Sequence, residues 1–334
     1  MDGLDAEYEE PEYEEPEIDA VARALDERPM AERARVTRGT VLRVAGLAVA
    51  FLVPYAVALS LLGVDVTEPG ALRRSLVPSV VLAGLVFETF DSASGMGFGT
   101  ALTPLLLSFG YSPLEIVPVL FVTESATGLL ASVVHQEFGN AEFSLRPPSD
   151  ATRAVAVLAG AGIVGTVTSV ALAYLAFDLP QTLLEGYVAV LVIAMGFVGL
   201  LRQYLPRPEV YQPDRLVGFA FLAGINKGVA GGGYGPVVTM GQIFAGVYEK
   251  TATAITSLAE GIVSAVGAVV YFGLFAAGFP VSYELLPSLF VGSFVAAVLA
   301  PYVVRVLPGR VLAYLIPIYA FLIGAVTLAG VLGV

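Results

Sequence analysis

Two stretches decide the fold: Asp91-Ser92-Ala93-Ser94-Gly95-Met96-Gly97-Phe98-Gly99-Thr100 and Lys227-Gly228-Val229-Ala230-Gly231-Gly232-Gly233-Tyr234-Gly235-Pro236. Sliding the chain by 136 positions lays the first on the second without a gap. Gly95, Gly97, Gly99, Thr103, Gly110 and Glu124 then fall on Gly231, Gly233, Gly235, Thr239, Gly246 and Glu260. Each stretch breaks a long apolar segment with alternating glycines, which let the backbone turn sharply and leave its amides open to a ligand. Beyond each break, at the same distance, a carboxylate lies in the middle of an apolar helix.

The rest of the chain sets these breaks in a membrane. Of 334 residues, 57% are hydrophobic and 14% charged, against about a quarter charged in soluble domains. Mean hydropathy is +0.81. Stretches long enough to cross the hydrocarbon core, about 20 apolar residues, run near 41–63, 113–136, 151–177, 181–202, 250–277, 283–306 and 309–333. The broken regions, 74–109 and 213–247, each hold a pair of shorter helices. The expected fold is therefore an all-α polytopic membrane protein. It is an inverted repeat of two five-helix halves, 74–202 and 213–333, each opening with a glycine-broken helix pair, with 40–64 as an extra N-terminal transmembrane helix. An odd number of crossings separates the halves, so they take opposite topologies. Inverted repeats with matching interrupted helices point to a secondary transporter with its site at the midplane.

Charge adds orientation and exclusions. Residues 1–39 hold 13 of the 29 acidic residues, a block too polar to order itself, and are expected to form a disordered acidic cytoplasmic tail. With the N-terminus inside, 14 of the 17 basic residues fall in inner segments, as the positive-inside rule requires. The C-terminus then lies outside a multi-pass plasma-membrane protein. A net charge of -12 argues against nucleic acid as partner, and the absence of cysteine removes disulfides, thiolate metal sites and a thiol nucleophile. A single histidine, His135, removes multi-histidine metal sites and is expected at the membrane interface. Glu185 and Glu284, near span ends, are expected in water. No nucleotide-binding loop is present, and neither cofactor nor metal is expected.

The chain resembles the TauE/SafE family of sulfite and sulfonate permeases, also called the toluene sulfonate uptake permeases. The likeness rests on a glycine cluster followed by proline in each half: Gly95-Met96-Gly97-Phe98-Gly99 with Pro104, and Gly231-Gly232-Gly233-Tyr234-Gly235-Pro236. It covers roughly 74–333, leaving the tail outside. What the resemblance implies is a transporter of small sulfur-containing oxyanions: sulfite, sulfonates or related organic anions. The residues themselves argue only for a small anion.

A helix resuming after each break offers free N–H groups and the positive end of its dipole, a ready anion site; Pro236 suits such a first turn. Gly95, Gly97, Gly99, Gly231, Gly233 and Gly235 are thus candidate substrate-binding residues. Thr100, Thr103, Asn226 and Thr239 join them as donors to oxyanion oxygens. An ionisable residue at the bilayer centre costs on the order of 3 kcal/mol, so each needs a partner or a use. Glu124, Glu260 and Asp91 are candidates for proton or ion coupling, with H+ or Na+ as the coupling ion. Asp91 and Lys227 are equivalent by the same shift; Lys227 either ties the halves together through Asp91 or serves as counter-ion to the bound anion. Glu88 ranks lower, because its counterpart is Gly224. The expected partners are the anion, its coupling ion and the lipid bilayer, with the oligomeric state left open. An anion channel of the same architecture is the alternative, and an intramembrane enzyme a more remote one.

Overall fold

The computed structural model describes residues 17–61, 75–95, 98–172, 180–202, 204 and 211–333. The expectations for residues 1–16, for Gly97 and for Arg73, Arg74 and Arg207 lie outside these. Thirteen α-helices are present among the described residues. Two short ones, α1 (Ala20–Asp26) and α2 (Met30–Arg33), precede a long α3 (Arg38–Leu61). Then come α4 (Pro78–Ser94), α5 (Phe98–Ser108), α6 (Pro113–Glu137), α7 (Asp150–Ala171) and α8 (Gln181–Arg202). The second half runs α9 (Asp214–Ala230), α10 (Tyr234–Phe244), α11 (Glu249–Ala276), α12 (Leu286–Val306) and α13 (Gly309–Leu332). Six helices, α3, α6, α7, α11, α12 and α13, are long and apolar enough to cross a membrane; α8, of 22 residues, has similar length.

Both broken helices stop in the same way. α4 ends where Gly95 takes φ 69°, and α9 where Gly231 takes φ 70°. These are left-handed conformations that glycine adopts without the Cβ penalty. In each case the glycine N–H closes the last turn, onto the Asp91 carbonyl at 2.6 Å and the Lys227 carbonyl at 2.9 Å. The returning helices, α5 and α10, have 11 residues each. They end at a second left-handed pair, Gly110 and Gly246. Capping differs at the next start: Ser112 and Glu115 form a capping box on α6, whereas Tyr248 precedes α11 without a side-chain cap.

Eight of the ten helices in 74–202 and 213–333 pack mainly as four pairs: α7 with α9, α4 with α12, α6 with α11, and α8 with α13. Exchanging the halves carries the first pair onto the second, while the last two map onto themselves. Small residues let the backbones meet, the usual solution where lipid supplies no hydrophobic drive between helices. A Cβ added at Gly224 would lie 2.2 Å from the Gly162 carbonyl oxygen, and one at Gly261 would lie 2.8 Å from the Leu129 nitrogen. α3 stands at the rim with only 11% of its apolar window buried.

The N-terminal segment departs from the expected tail of 1–39. Its described part, 17–33, is a 3-10 turn followed by α1 and α2, with Ile18, Ala22 and Leu25 buried at helical spacing against the bundle. Two of its acidic residues, Asp19 and Asp26, find donors in the body of the protein.

Gly224→Leu should force α7 and α9 apart and lower stability by about 1–3 kcal/mol, the usual cost of overpacking. Gly160→Ala, where an added Cβ meets nothing within 4 Å, should leave thermal unfolding in detergent unchanged or slightly later.

Candidate functional site

At the centre of the bundle one lysine meets two glutamates. Lys227, in the last turn of α9, places Nζ 2.5 Å from Glu124 Oε2 on α6 and 2.7 Å from Glu260 Oε1 on α11. All three side chains are buried. Ser264 donates to the same Glu124 oxygen at 3.3 Å. The rings of Phe121 and Tyr234 stand with centroids 5.6 Å from the ammonium, a distance at which a cation is attracted by a ring face. Lys227 also sits where the negative end of the α9 dipole favours a cation.

This arrangement corrects the expectation of a Lys227–Asp91 tie. Asp91 occupies the end of α4, where the dipole disfavours an anion, and turns instead to the resuming helix. Its Oδ1 accepts from the Phe98 N–H at 3.3 Å, so the N-terminus of α5 already holds a carboxylate of the chain. Glu88, one turn earlier, is buried and accepts from Ser92 Oγ at 2.7 Å and Thr127 Oγ1 at 3.3 Å. Four carboxylates and one ammonium therefore share the middle of the molecule.

His135 is a second correction, because it is fully buried rather than interfacial. The Asn140 amide donates to His135 Nδ1 at 2.9 Å and to the Pro301 carbonyl at 2.8 Å. With Nδ1 accepting, Nε2 carries the proton and donates to the Ser92 carbonyl at 3.1 Å. Ser92 lies in the last turn of α4, where carbonyls lack intrahelical partners, and the histidine closes one of them. Sequence reasoning missed His135 and Asn140 as a pair; the signal was the turn glycine, Gly139, that brings Asn140 back onto the helix it has just left.

The two breaks meet backbone to backbone. A Cβ at Gly99 would lie 2.0 Å from the Gly231 carbonyl oxygen, and one at Gly232 would lie 2.6 Å from the Thr100 nitrogen. Each break is completed by the other half: Gly233 N–H donates to Thr100 Oγ1 at 2.8 Å, and Thr239 Oγ1 donates to the Gly95 carbonyl at 2.5 Å. Thr239 is further engaged with Thr256 at 2.9 Å, which accepts from Gln242 at 2.7 Å. Its counterpart Thr103 makes no such bond. Thr103 Oγ1, Thr123 Oγ1, Glu124 Oε1 and both amide atoms of Asn226 are buried without hydrogen-bond partners among the described residues. A cavity of about 10 Å³ between Gly99, Thr100, Thr103, Val188, Gly232 and Thr327 has room for barely one water.

The structure thus brings together Gly95, Gly99, Thr100, Thr103, Asn226, Gly231 and Gly233 at the crossing, and Lys227, Glu124 and Glu260 beside it. Gly235 lies in the first turn of α10, and the hydroxyl of Thr239 is spent on closing the crossing. Glu284 is exposed; the side chain of Glu185 lies outside the described residues. No group of three metal-ligating side chains occurs among those described.

A family model described as "Sulfite exporter TauE/SafE" matches residues 80–327. The chain belongs to the TauE/SafE family. Its six long apolar helices make this TauE/SafE member a multi-pass membrane protein. It is similar to the "Probable membrane transporter protein YtnM" of Bacillus subtilis (strain 168), 28% identical over 163 residues, a match covering 47% of this chain and 50% of that protein. The chain thus aligns with about half the length of that relative. No solved structure matches it.

Lys227→Met should destabilise this TauE/SafE protein by about 3–5 kcal/mol, because it strands two buried carboxylates. Adding Glu124→Gln and Glu260→Gln to it should recover most of the loss, and thermal unfolding of the parent, the single and the triple variant in detergent checks both statements.

Proposed function

We propose that the protein is a secondary active transporter of small sulfur-containing oxyanions, such as sulfite, sulfonates or related organic anions. The observation that carries this reading is Lys227, bonded to one glutamate from each half beside the crossing of two broken helices. The substrate class comes from the family, whose description names sulfite; the buried ammonium of Lys227 by itself supports only an anion.

The charges suggest the coupling. With both glutamates ionised, the triad carries an excess negative charge that repels an incoming anion. A proton taken up by Glu124 or Glu260 removes that excess and releases one of the two bonds that occupy Lys227. An anion can then bind Nζ, with the unpartnered Asn226 amide and Thr103 hydroxyl completing its shell. Uptake of anion and proton together follows from this competition, and H+ is favoured over Na+ because the ammonium already fills the place a sodium ion would take.

Residues 74–202 and 213–333 are read as repeats of opposite topology, with 40–64 as an added helix. Helix starts at Pro78 and Asp214, Phe98 and Tyr234, Pro113 and Glu249, and Asp150 and Leu286 recur at the same shift, and the helix pairing is preserved on exchange. Alternating access would then exchange the roles of Thr239, bonded to the break of the other half, and Thr103, which is not. The basic-residue bias puts the end bearing α1 and α2 in the cytoplasm of a plasma-membrane protein. An enzymatic role has less support, because the one histidine is committed to Asn140 and the Ser92 carbonyl.

Flux in proteoliposomes tests the proposal with sulfite, thiosulfate, sulfate, sulfoacetate and acetate, each with and without pH and sodium gradients. The expected result is saturable sulfite or sulfonate flux driven by the pH gradient, and at least tenfold slower in Glu124→Gln and Glu260→Gln. Unsaturable, uncoupled flux would mean a channel. No flux of any of these anions would remove the substrate class.

A further inference from the structure

The acidic N-terminal segment, which lies outside the region matched by the family, grips one end of the bundle chiefly through the Asp26 carboxylate. Asp26 Oδ1 takes the Lys250 ammonium of α11 at 2.8 Å and the guanidinium of Arg33. Its Oδ2 accepts from the Gly309 N–H of α13 at 2.6 Å and from the Tyr248 hydroxyl. Lys250 is fully buried and Arg33 nearly so. Around this bond the segment is tied at both ends. Asp19 Oδ1 accepts from the Tyr248 N–H at 3.0 Å. At the other end, the Arg33 carbonyl accepts from Arg305 Nε at 2.7 Å and the Ala34 carbonyl from the Tyr302 hydroxyl at 2.9 Å.

The elements it ties belong to different helix pairs: α11 packs with α6, and α13 with α8. Asp26 therefore bridges a seam, held by Lys250 and Tyr248 on the α11 side and by the Gly309 N–H on the α13 side. Movement of one pair against the other at this end stretches the Lys250 and Gly309 bonds together. Burial alone would raise the Asp26 pKa, but the bonds from Lys250, Tyr248 and Gly309 outweigh it and hold the carboxyl below its ordinary 3.8, so the lock stays charged at neutral pH. Tyr248, at the end of the second broken hairpin, touches it directly through its hydroxyl.

We infer that residues 17–34 are a strap that restrains opening of the transporter at this end, with Asp26 as its lock. The inference rests on the transport reading above only for its effect on flux. Opening itself can be followed without substrate, because the chain contains no cysteine.

Thr253→Cys, on the buried first turns of α11, reports opening through its rate of labelling by a membrane-impermeant maleimide. Ser108→Cys at the exposed end of α5 serves as the labelling control. Trypsin cleavage after Arg33 reports release of the strap. Asp26→Asn should label Thr253→Cys about tenfold faster, as expected when one partner of a buried ion pair is removed. It should also expose Arg33 to trypsin and speed flux, while Glu27→Gln, at an exposed neighbour, changes none of these. Arg305→Gln, which loosens the strap without touching Asp26, should shift labelling in the same direction, so the test survives if Asp26→Asn elutes as an aggregate. Cleavage at Arg33 with unchanged labelling would overturn the inference, as would labelling and cleavage both unchanged in the two variants. Faster labelling with no flux in any variant would leave the strap standing and remove the transport reading instead.

Discussion

Breaking a helix inside a bilayer leaves peptide groups that lipid cannot satisfy, and each one costs several kcal/mol unless the protein supplies a partner. That constraint organises this molecule. The first break is closed by Asp91 on the Phe98 N–H, by His135 on the Ser92 carbonyl and by Thr239 on the Gly95 carbonyl. The second takes the Thr100 hydroxyl on the Gly233 N–H. Because several of these partners come from the opposite half, neither half can complete its own hairpin. The crossing of Gly99 over Gly231 and Gly232 is the geometry that brings those partners within reach.

The ion triad follows from the same constraint. Ending α9 at Gly231 puts Lys227 in a helix's last turn, where the dipole favours it, and aims it between α6 and α11. A buried ammonium needs a counter-charge, and the two glutamates recur on those helices at the same place. Replacing a buried ionic cluster of this kind with apolar residues is often neutral or stabilising. Its stabilising effect is thus a weak reason for its presence, and the proposed joint binding of a proton and an anion would be a stronger one.

Much of this was legible in the sequence, and the reason is physical. Alternating glycine followed by a long apolar run has few meanings in a membrane, so the half-helices from Pro78 to Ser108 and from Asp214 to Phe244 could be read almost to their ends. Six of the seven expected full spans could be read from length and apolarity alone. What a charge pairs with could not be read. Lys227 and Asp91 are equivalent in sequence, but helix dipoles and free N–H groups send them to different partners. The N-terminal segment misled for a related reason: its composition is that of a disordered chain, and partners more than 200 positions away, among them Lys250, Tyr248, Arg305 and Gly309, hold residues 17–33. His135 looked interfacial because it lies near a helix end, yet Gly139 turns the chain back over it.

The triad also bears on why two halves share one chain. On the proposed repeat, a homodimer of half-length subunits would carry its glutamates in pairs and its lysines in pairs or not at all. An odd charge, one ammonium between two carboxylates, is out of reach of a strictly symmetric dimer. Joining the halves lets position 227 be lysine while position 91 is aspartate. In that light fusion is a route to odd stoichiometry at a site that symmetry would otherwise force to be even.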